Sequence, residues 1–174
     1  MTTTTHPFQN EIDTFFTPTT ASISDCHRIA ETHLGSAIIP VDTQGTCSYT
    51  VRAENNDAYI VQFRLASSQL DVQKMDLART IYKDLVPSIT HKGQIGNTTE
   101  TKQPLHIYLM TRIKGISYLE FILEHTSQLS ENSPEFFAWR RNYVVDIARF
   151  FALSYQTQTK PINQTYRTTL QTNY

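Results

Sequence analysis

One stretch near the middle of the chain, Leu105 to Phe121, changes character within a few residues. Its first six residues, LHIYLM, are almost all apolar and include β-branched and aromatic side chains, which is typical of a largely buried strand. The polar, glycine-containing segment TRIKG follows at 111–115, and Ser117 can then cap a short helix. The pattern predicts a strand that leaves a sheet through a short polar connection and enters a helical region.

Composition limits the classes of function. The 174 residues carry a net charge of −1, with 15 Lys and Arg against 16 Asp and Glu, so no nucleic-acid partner is indicated. There is no run of about 18 apolar residues and no secretory leader, which predicts a cytoplasmic protein that does not associate with membranes. Cys26 and Cys47 have no CxxC spacing, so neither a zinc site nor a disulfide framework is predicted.

The first part of the chain predicts a leader and one helix. Residues 1–21 are rich in threonine, a composition that predicts a disordered leader apart from a possible turn near Phe15. A short amphipathic helix is expected next, capped by Ser22 or Ser24 and ended by Gly35.

Residues 36–65 change to a period of two. Strands are predicted at 38–41, 47–53 and 58–65, with tight polar turns between them, and three such strands in succession make an antiparallel meander. In the third strand, alternation places Ile60, Gln62 and Arg64 on one face and Tyr59, Val61 and Phe63 on the other.

The second half of the chain predicts two longer helices. A helix is expected from Ser68 to about Val86, stopped by Pro87, and is followed by strands at 88–94 and 105–113. Ser133, Pro134 and Glu135 form a good helix start. The helix that follows runs to about residue 157 with an aromatic stripe expected to be core, and residues 158–174 are predicted to be a polar tail.

Three segments together resemble one family. MTRIKG at 110–115 resembles the M-E-R-L-P-G hinge of the aminoglycoside phosphotransferases, small-molecule kinases related in fold to protein kinases. QGTCSYTV at 44–51 resembles a thinned version of that family's G-G-x-x-N-x-x-Y-x-V phosphate loop. ENSPEFFAWRRNYVVDIARFFALSYQ, at 131–156, resembles the first long helix of the helical lobe in fungal members, and the resemblance covers roughly residues 24–157.

The resemblance implies an α+β fold. A protein-kinase-like N-terminal lobe, a five-stranded antiparallel sheet with one packed helix, is expected over residues 22–112. A hinge and the start of a truncated helical lobe are expected over residues 113–157.

The resemblance also implies weak binding of ATP with magnesium. The adenine is expected at the backbone of Thr111 to Ile113, and the phosphates at Gly45 and Arg64. Ser48 stands at the approximate place of the loop asparagine, and Gln62 is the alternative to Arg64 for the cation of the third strand.

The usual partner of that cation, a helix glutamate, is missing from the helix predicted at 68–86. Asp71 and Asp76 are the acidic residues on plausible faces there, and we expect that the ion pair has been lost.

Phosphoryl transfer in this superfamily needs an H-x-D-x-x-x-x-N loop and a later metal-binding aspartate. None of the six histidines is followed two residues later by aspartate, so no catalytic or metal-binding residue is assigned. The sequence therefore predicts a protein that is inactive alone; for fungal members of the family, the resemblance implies a link to specialised metabolism.

Two alternatives stay open. In the first, the chain is a non-enzymatic interaction module that binds a partner or a second copy through an uncovered helical face. In the second, it is a shortened gene product with no independent role.

Overall fold

The computed structural model describes residues 9–115, Phe121 and residues 133–156. The chain divides into two units, Met1–Lys114 and Gly115–Tyr174. The helix predicted after Ser117, apart from Phe121, and the predicted tail at 158–174 lie outside the described residues.

Within the described residues, the first unit contains three α-helices and five strands, and the second contains one long helix. In chain order these are α1 (Gln9–Phe16), α2 (Ile23–Leu34), β1 (Ile38–Pro40), β2 (Ser48–Ala53), β3 (Tyr59–Leu65), α3 (Val72–Tyr82), β4 (Ile89–Ile95), β5 (Leu105–Thr111) and α4 (Pro134–Gln156). None of the helices in these ranges is long and apolar enough to cross a membrane.

The five strands form one sheet in the order β1-β2-β3-β5-β4, and every neighbouring pair is antiparallel. The predicted α+β class and the five-stranded antiparallel sheet are therefore confirmed. The last strand in sequence, β5, lies between β3 and β4. The strand that carries Gln62 and Arg64, β3, is therefore the neighbour of β5, which ends at Thr111.

Each face of the sheet packs against helices. The alternation predicted for β3 is confirmed, because Val61 and Phe63 are fully buried on one face. That face packs against α1 and α2, through a cluster that includes Cys26 and Ala30. On the opposite face a smaller cluster packs against α3 and the residues just before it: Ile60, Leu70, Val72, Met75, Ile89, Tyr108 and Met110.

The N-terminal segment differs from the predicted disordered leader. Residues 9–16 form α1, whose Ile12 and Phe15 are only 4% and 3% exposed and belong to the core. Each such side chain stabilises the fold by roughly 1.5–3 kcal/mol. Thr20 fixes the connection to α2, because its hydroxyl accepts a hydrogen bond from Asn97 N–H at 2.7 Å and donates one to Asn97 O at 3.1 Å.

The predicted caps of α2 are present. Of the two candidate serines, Ser22 is the N-cap, and its hydroxyl accepts a hydrogen bond from Asp25 N–H at 3.1 Å. Gly35 ends the helix in the left-handed conformation, with φ 69°, which a residue without a Cβ adopts at little cost.

The helix α3 is shorter than predicted. It begins at Val72 rather than Ser68, and its cap is Asp71, whose carboxylate accepts a hydrogen bond from Lys74 N–H at 3.1 Å. Ser68 instead ends a 3₁₀ turn at Ala66–Ser68, so the predicted capping box is wrong.

The helix α4 begins where it was predicted to begin, but the side chains predicted to be core are not all buried. Ser133 accepts a hydrogen bond from Phe136 N–H at 3.1 Å, which caps the first turn. Several side chains of the aromatic stripe expected to be core are exposed, among them Val144 at 63% and Phe151 at 59%.

The residue that follows α3, Lys83, offers a test of backbone strain. Its φ of 53° and ψ of −124° lie in a region that favours glycine. We therefore expect Lys83→Gly to raise the free energy of unfolding by about 1 kcal/mol, measured by urea or thermal denaturation.

Lys83→Ala is the matched control, because it removes the same side chain but keeps the Cβ. Equal gains from the two substitutions would show that the lysine side chain, and not the backbone, is the source of the strain.

Candidate functional site

On the sheet face that carries α3, eight polar side chains lie in two neighbouring rows of four. Residues directly opposite each other in an antiparallel sheet point to the same face, so the pairing register defines the rows. The first row is Ser48, Arg64, His106 and Gln94, and the second is Thr50, Gln62, Tyr108 and His91. These eight side chains are called the polar rows below.

Arg64 is held by hydrogen bonds within this face. Its Nε donates to the backbone oxygen of Ser68 at 2.7 Å, and its Nη1 donates to Gln62 Oε1 at 3.0 Å. Gln62 Nε2 in turn donates to Thr50 Oγ1 at 3.1 Å. The two alternatives for the strand cation, Arg64 and Gln62, are therefore hydrogen-bonded to each other.

The two acidic residues considered as partners of Arg64 have other surroundings. Asp71 caps α3 and pairs with Lys74 at 3.1 Å, and Asp76 is exposed on the helix. Among the described residues, no acidic side chain forms an ion pair with Arg64. The guanidinium thus has hydrogen-bond acceptors but no neutralising carboxylate.

The loop between β1 and β2 is closed by Gln44. Its Nε2 donates to Val41 O at 3.0 Å and to Thr50 O at 2.9 Å, while its Oε1 accepts from Thr50 N–H at 2.9 Å. The side chain therefore pairs with β2 as an extra piece of strand backbone would. This role could not be predicted from the sequence, because a glutamine in a turn gives no local signal of it.

Gly45 and Ser48 lie in the tight turn beyond Gln44. Ser48 N–H donates to Gly45 O at 3.4 Å, and Gly45 is not among the residues with positive φ. A Cβ on Gly45 would meet Ser48 Oγ at 3.4 Å, an ordinary contact. Neither the backbone conformation nor the space in this turn requires glycine, and Ser48 pairs across the strands with Arg64.

The predicted hinge residues are held at the other end of β5. Thr111 Oγ1 accepts from Ser88 N–H at 2.9 Å, and Arg112 N–H donates to Ala58 O at 2.9 Å. Ile113 is 43% exposed beside a depression of about 440 Å³ that is also lined by Leu85.

The structure brings the predicted site residues into two groups. Gly45, Ser48 and Arg64 lie together, whereas Thr111 is five residues along β5 from His106, the partner of Arg64. At the rise of a strand, five residues correspond to about 17 Å. Gln62 is opposite Tyr108, three residues or about 10 Å from Thr111, and so lies closer to the hinge.

Cys47 is the exposed thiol of the β1–β2 loop. Hydrogen bonds with Thr46 and Ser68 lower the pKa of Cys47, and the nearby charge of Arg64 acts in the same direction. Cys26 is buried in the core, and burial raises its pKa to about 12. Only Cys47 is therefore placed to react with a thiol reagent in the folded protein.

His106 is the buried histidine of the polar rows, at 4% exposure. Its Nδ1 lies 3.1 Å from His91 Nε2, and its Nε2 lies 3.0 Å from Gln94 Nε2. If the amide of Gln94 donates to Nε2, then Nδ1 carries the proton and donates to His91. Burial, together with His91, lowers the pKa of His106, so the ring stays neutral near pH 7.

In the part of the chain that the structure describes, no cluster of three or more His, Cys, Asp and Glu side chains is placed to hold a metal ion.

We expect the pKa of His106 to make stability depend on pH. Because its pKa in the folded state lies below the ordinary value of 6.5, the unfolded chain binds a proton more readily. Stability should therefore fall as the pH drops below about 6.5, and His106→Gln should make the fall shallower in urea denaturation between about pH 7 and 5.

His33→Gln, at an exposed position of α2, is the control and should leave the slope unchanged. The same slope in wild type and His106→Gln would contradict the prediction.

The chain was compared with known proteins at the level of families, sequences and structures. No protein-family model, curated protein or solved structure matches it. The resemblance to kinase-like proteins therefore stays a prediction from the sequence.

Proposed function

We propose that this chain binds ATP with magnesium on the α3 face of a kinase-like sheet and does not itself transfer a phosphoryl group. The observation that supports this most is the position of β5 between β3 and β4. The strand that carries Arg64 and the strand that leads to residues 111–115 are thereby side by side. The order helix, three strands, helix, two strands and exit to a helical unit is that of a kinase-like sheet lobe.

The charge of the polar rows favours an anionic ligand. They contain the guanidinium of Arg64 and neutral hydrogen-bonding groups, and none of the eight side chains is a carboxylate. A guanidinium that has no ion-pair partner among the described residues, and that lies among hydroxyl and amide groups, suits phosphate oxygens. Gly45, Ser48 and Arg64 form the phosphate end in this proposal, and Thr111 to Ile113 the adenine end.

Binding without transfer follows from the residues that the sequence contains. Catalysis of phosphoryl transfer is mostly positioning and electrostatic stabilisation by metal ligands and a catalytic aspartate. The 174 residues contain no His-x-Asp segment that would supply these groups. We therefore propose a nucleotide-binding protein that needs another source of catalytic groups to act as a kinase.

Gly45 gives a test that separates folding from binding. Since the turn tolerates a Cβ, Gly45→Ala should change the free energy of unfolding by less than about 1 kcal/mol. If phosphates approach the backbone here, the added methyl group should reduce the rise in Tm caused by ATP and magnesium. Asn55→Ala, in the β2–β3 turn, is the control and should respond to ATP as wild type does.

A wild-type chain whose Tm does not change with ATP would overturn the proposal. An unaltered response in Gly45→Ala would remove Gly45 from the site.

Cys47 gives a second, chemical test. Because it is exposed beside Gly45 while Cys26 is buried, N-ethylmaleimide should add once to the folded chain, at Cys47. Bound ATP and magnesium should slow that addition, as followed by intact-mass spectrometry. Adenosine is the control ligand, since it lacks the phosphates; equal rates with and without ATP would argue against phosphates at this loop.

A further inference from the structure

The most exposed large apolar side chains of α4 share one line along the helix. Among its described residues these are Phe137 (57% exposed), Val144 (63%), Phe151 (59%) and Tyr155 (76%). The first three are spaced by seven residues, and Tyr155 follows four residues after Phe151. With Arg141 and Ala148 they complete an alternating spacing of four and three. These six residues, 137, 141, 144, 148, 151 and 155, are called the α4 seam.

Phe137 and Tyr155 are 18 residues apart, which is five turns of 3.6 residues, so the α4 seam is a stripe along one side of the helix. A second helix can pack along such a stripe. We propose that two copies of this chain associate through antiparallel pairing of their α4 helices.

The side chains of the α4 seam complement one another when two copies run in opposite directions. Centring the pair on residue 146 places Phe137 opposite Tyr155 of the second copy and Val144 opposite Ala148, so large side chains meet at the ends and a small one meets Val144 near the centre. Arg141 then lies opposite Phe151, where a guanidinium can stack on an aromatic ring. A parallel pair would instead place Arg141 against Arg141, which like charges disfavour.

The residues beside the α4 seam agree with the antiparallel arrangement. Val145 and Ile147 lie on the two flanks of the α4 seam and are 40% and 39% exposed. Near the two-fold axis, Val145 would lie close to Val145 of the second copy, and Ile147 close to Ile147 of the second copy. Asp146 and Arg149 point away from the α4 seam and form an ion pair with each other at 3.1 Å. These two charged side chains would therefore stay outside the contact between the two helices.

The area is sufficient for weak pairing. With about 150–250 Å² available from each large aromatic side chain, the exposed parts of the α4 seam and its flanks give roughly 500–600 Å² per copy. Two copies would bury roughly 1,000–1,200 Å², at the lower limit of stable interfaces. An area of this size is typical of a weak or transient pair rather than an obligate dimer.

Sedimentation analysis of the full chain without nucleotide, over the micromolar range, tests the proposal. Wild type should pass from monomer to dimer with concentration, whereas Val144→Asp and Phe151→Asp should stay monomeric. Asn142→Asp adds the same charge on the side of α4 that faces away from the α4 seam and should still dimerise. Circular dichroism of each variant checks that α4 remains folded.

Cross-linking tests the direction of pairing. In a Cys47→Ser chain, Ile147→Cys should be joined to its own copy by a short bismaleimide, while Phe137→Cys should not. The reverse result would indicate a parallel pair and overturn the antiparallel arrangement.

A chain that stays monomeric throughout would overturn the proposal, and so would a monomer that binds phosphatidylserine vesicles through α4. Neither result depends on nucleotide, so the ATP-binding proposal would stand or fall separately.

Discussion

The first unit depends on the burial of β5 on both of its faces. Leu105 and Tyr108 are fully buried and Ile107 is 3% exposed, although their side chains point alternately to opposite sides of the sheet. On one side β5 contributes to the cluster beneath α1 and α2, and on the other to the cluster beneath α3. Because β4 pairs only with β5, the strand also attaches the sheet's edge. Replacing one of the apolar residues of β5 by a charged residue would therefore disturb one face of the sheet, the helix packed on that face and the attachment of the edge strand β4.

Tyr108 also determines where α3 begins. Its hydroxyl accepts a hydrogen bond from Leu70 N–H at 3.1 Å, and Arg64 donates to Ser68 O two residues earlier. These two sheet side chains hold the backbone between β3 and α3 in a non-helical path. The helix can therefore start only at Val72, with Asp71 as its cap. The sequence places a plausible cap at Ser68, but the contacts that override it come from residues in the sheet.

The same distinction separates what could be predicted from what could not. Features set by neighbours in sequence were predicted: the caps at Ser22 and Gly35, the alternation in β3, and the start of α4 at Ser133. Features set by distant residues were not. The order in the N-terminal segment depends on Thr20 and Asn97, 77 positions apart, and on the close approach of Thr20 to Gly96, where a Cβ would lie 2.6 Å from the hydroxyl oxygen.

The candidate site shows this limit most clearly. Alternation placed Gln62 and Arg64 on one face of β3, and the family resemblance pointed to Ser48; the structure groups the three on one face. Apart from Thr50 of β2, the other members of the polar rows come from β4 and β5, and their place beside Arg64 depends on strand order, which no local pattern reveals. Gln44 differs, since its partners, the backbone of Val41 and Thr50, are only three and six residues away; a glutamine in a turn simply gives no local sign of pairing with them.

The hydrogen bonds within the polar rows bear on how tightly an anion could bind. Arg64 uses two of its five N–H donors in the bonds to Ser68 and Gln62, so a phosphate could accept from the other donors while these two bonds hold the side chain in place. A net hydrogen bond is worth about 0.5–1.5 kcal/mol, and a bond between charged groups is worth more. Much of the gain would therefore come from charge, because the phosphate is anionic. A sheet arranged in this way suits reversible binding of a nucleotide, and the absence of a carboxylate in the polar rows removes the repulsion that would otherwise oppose it.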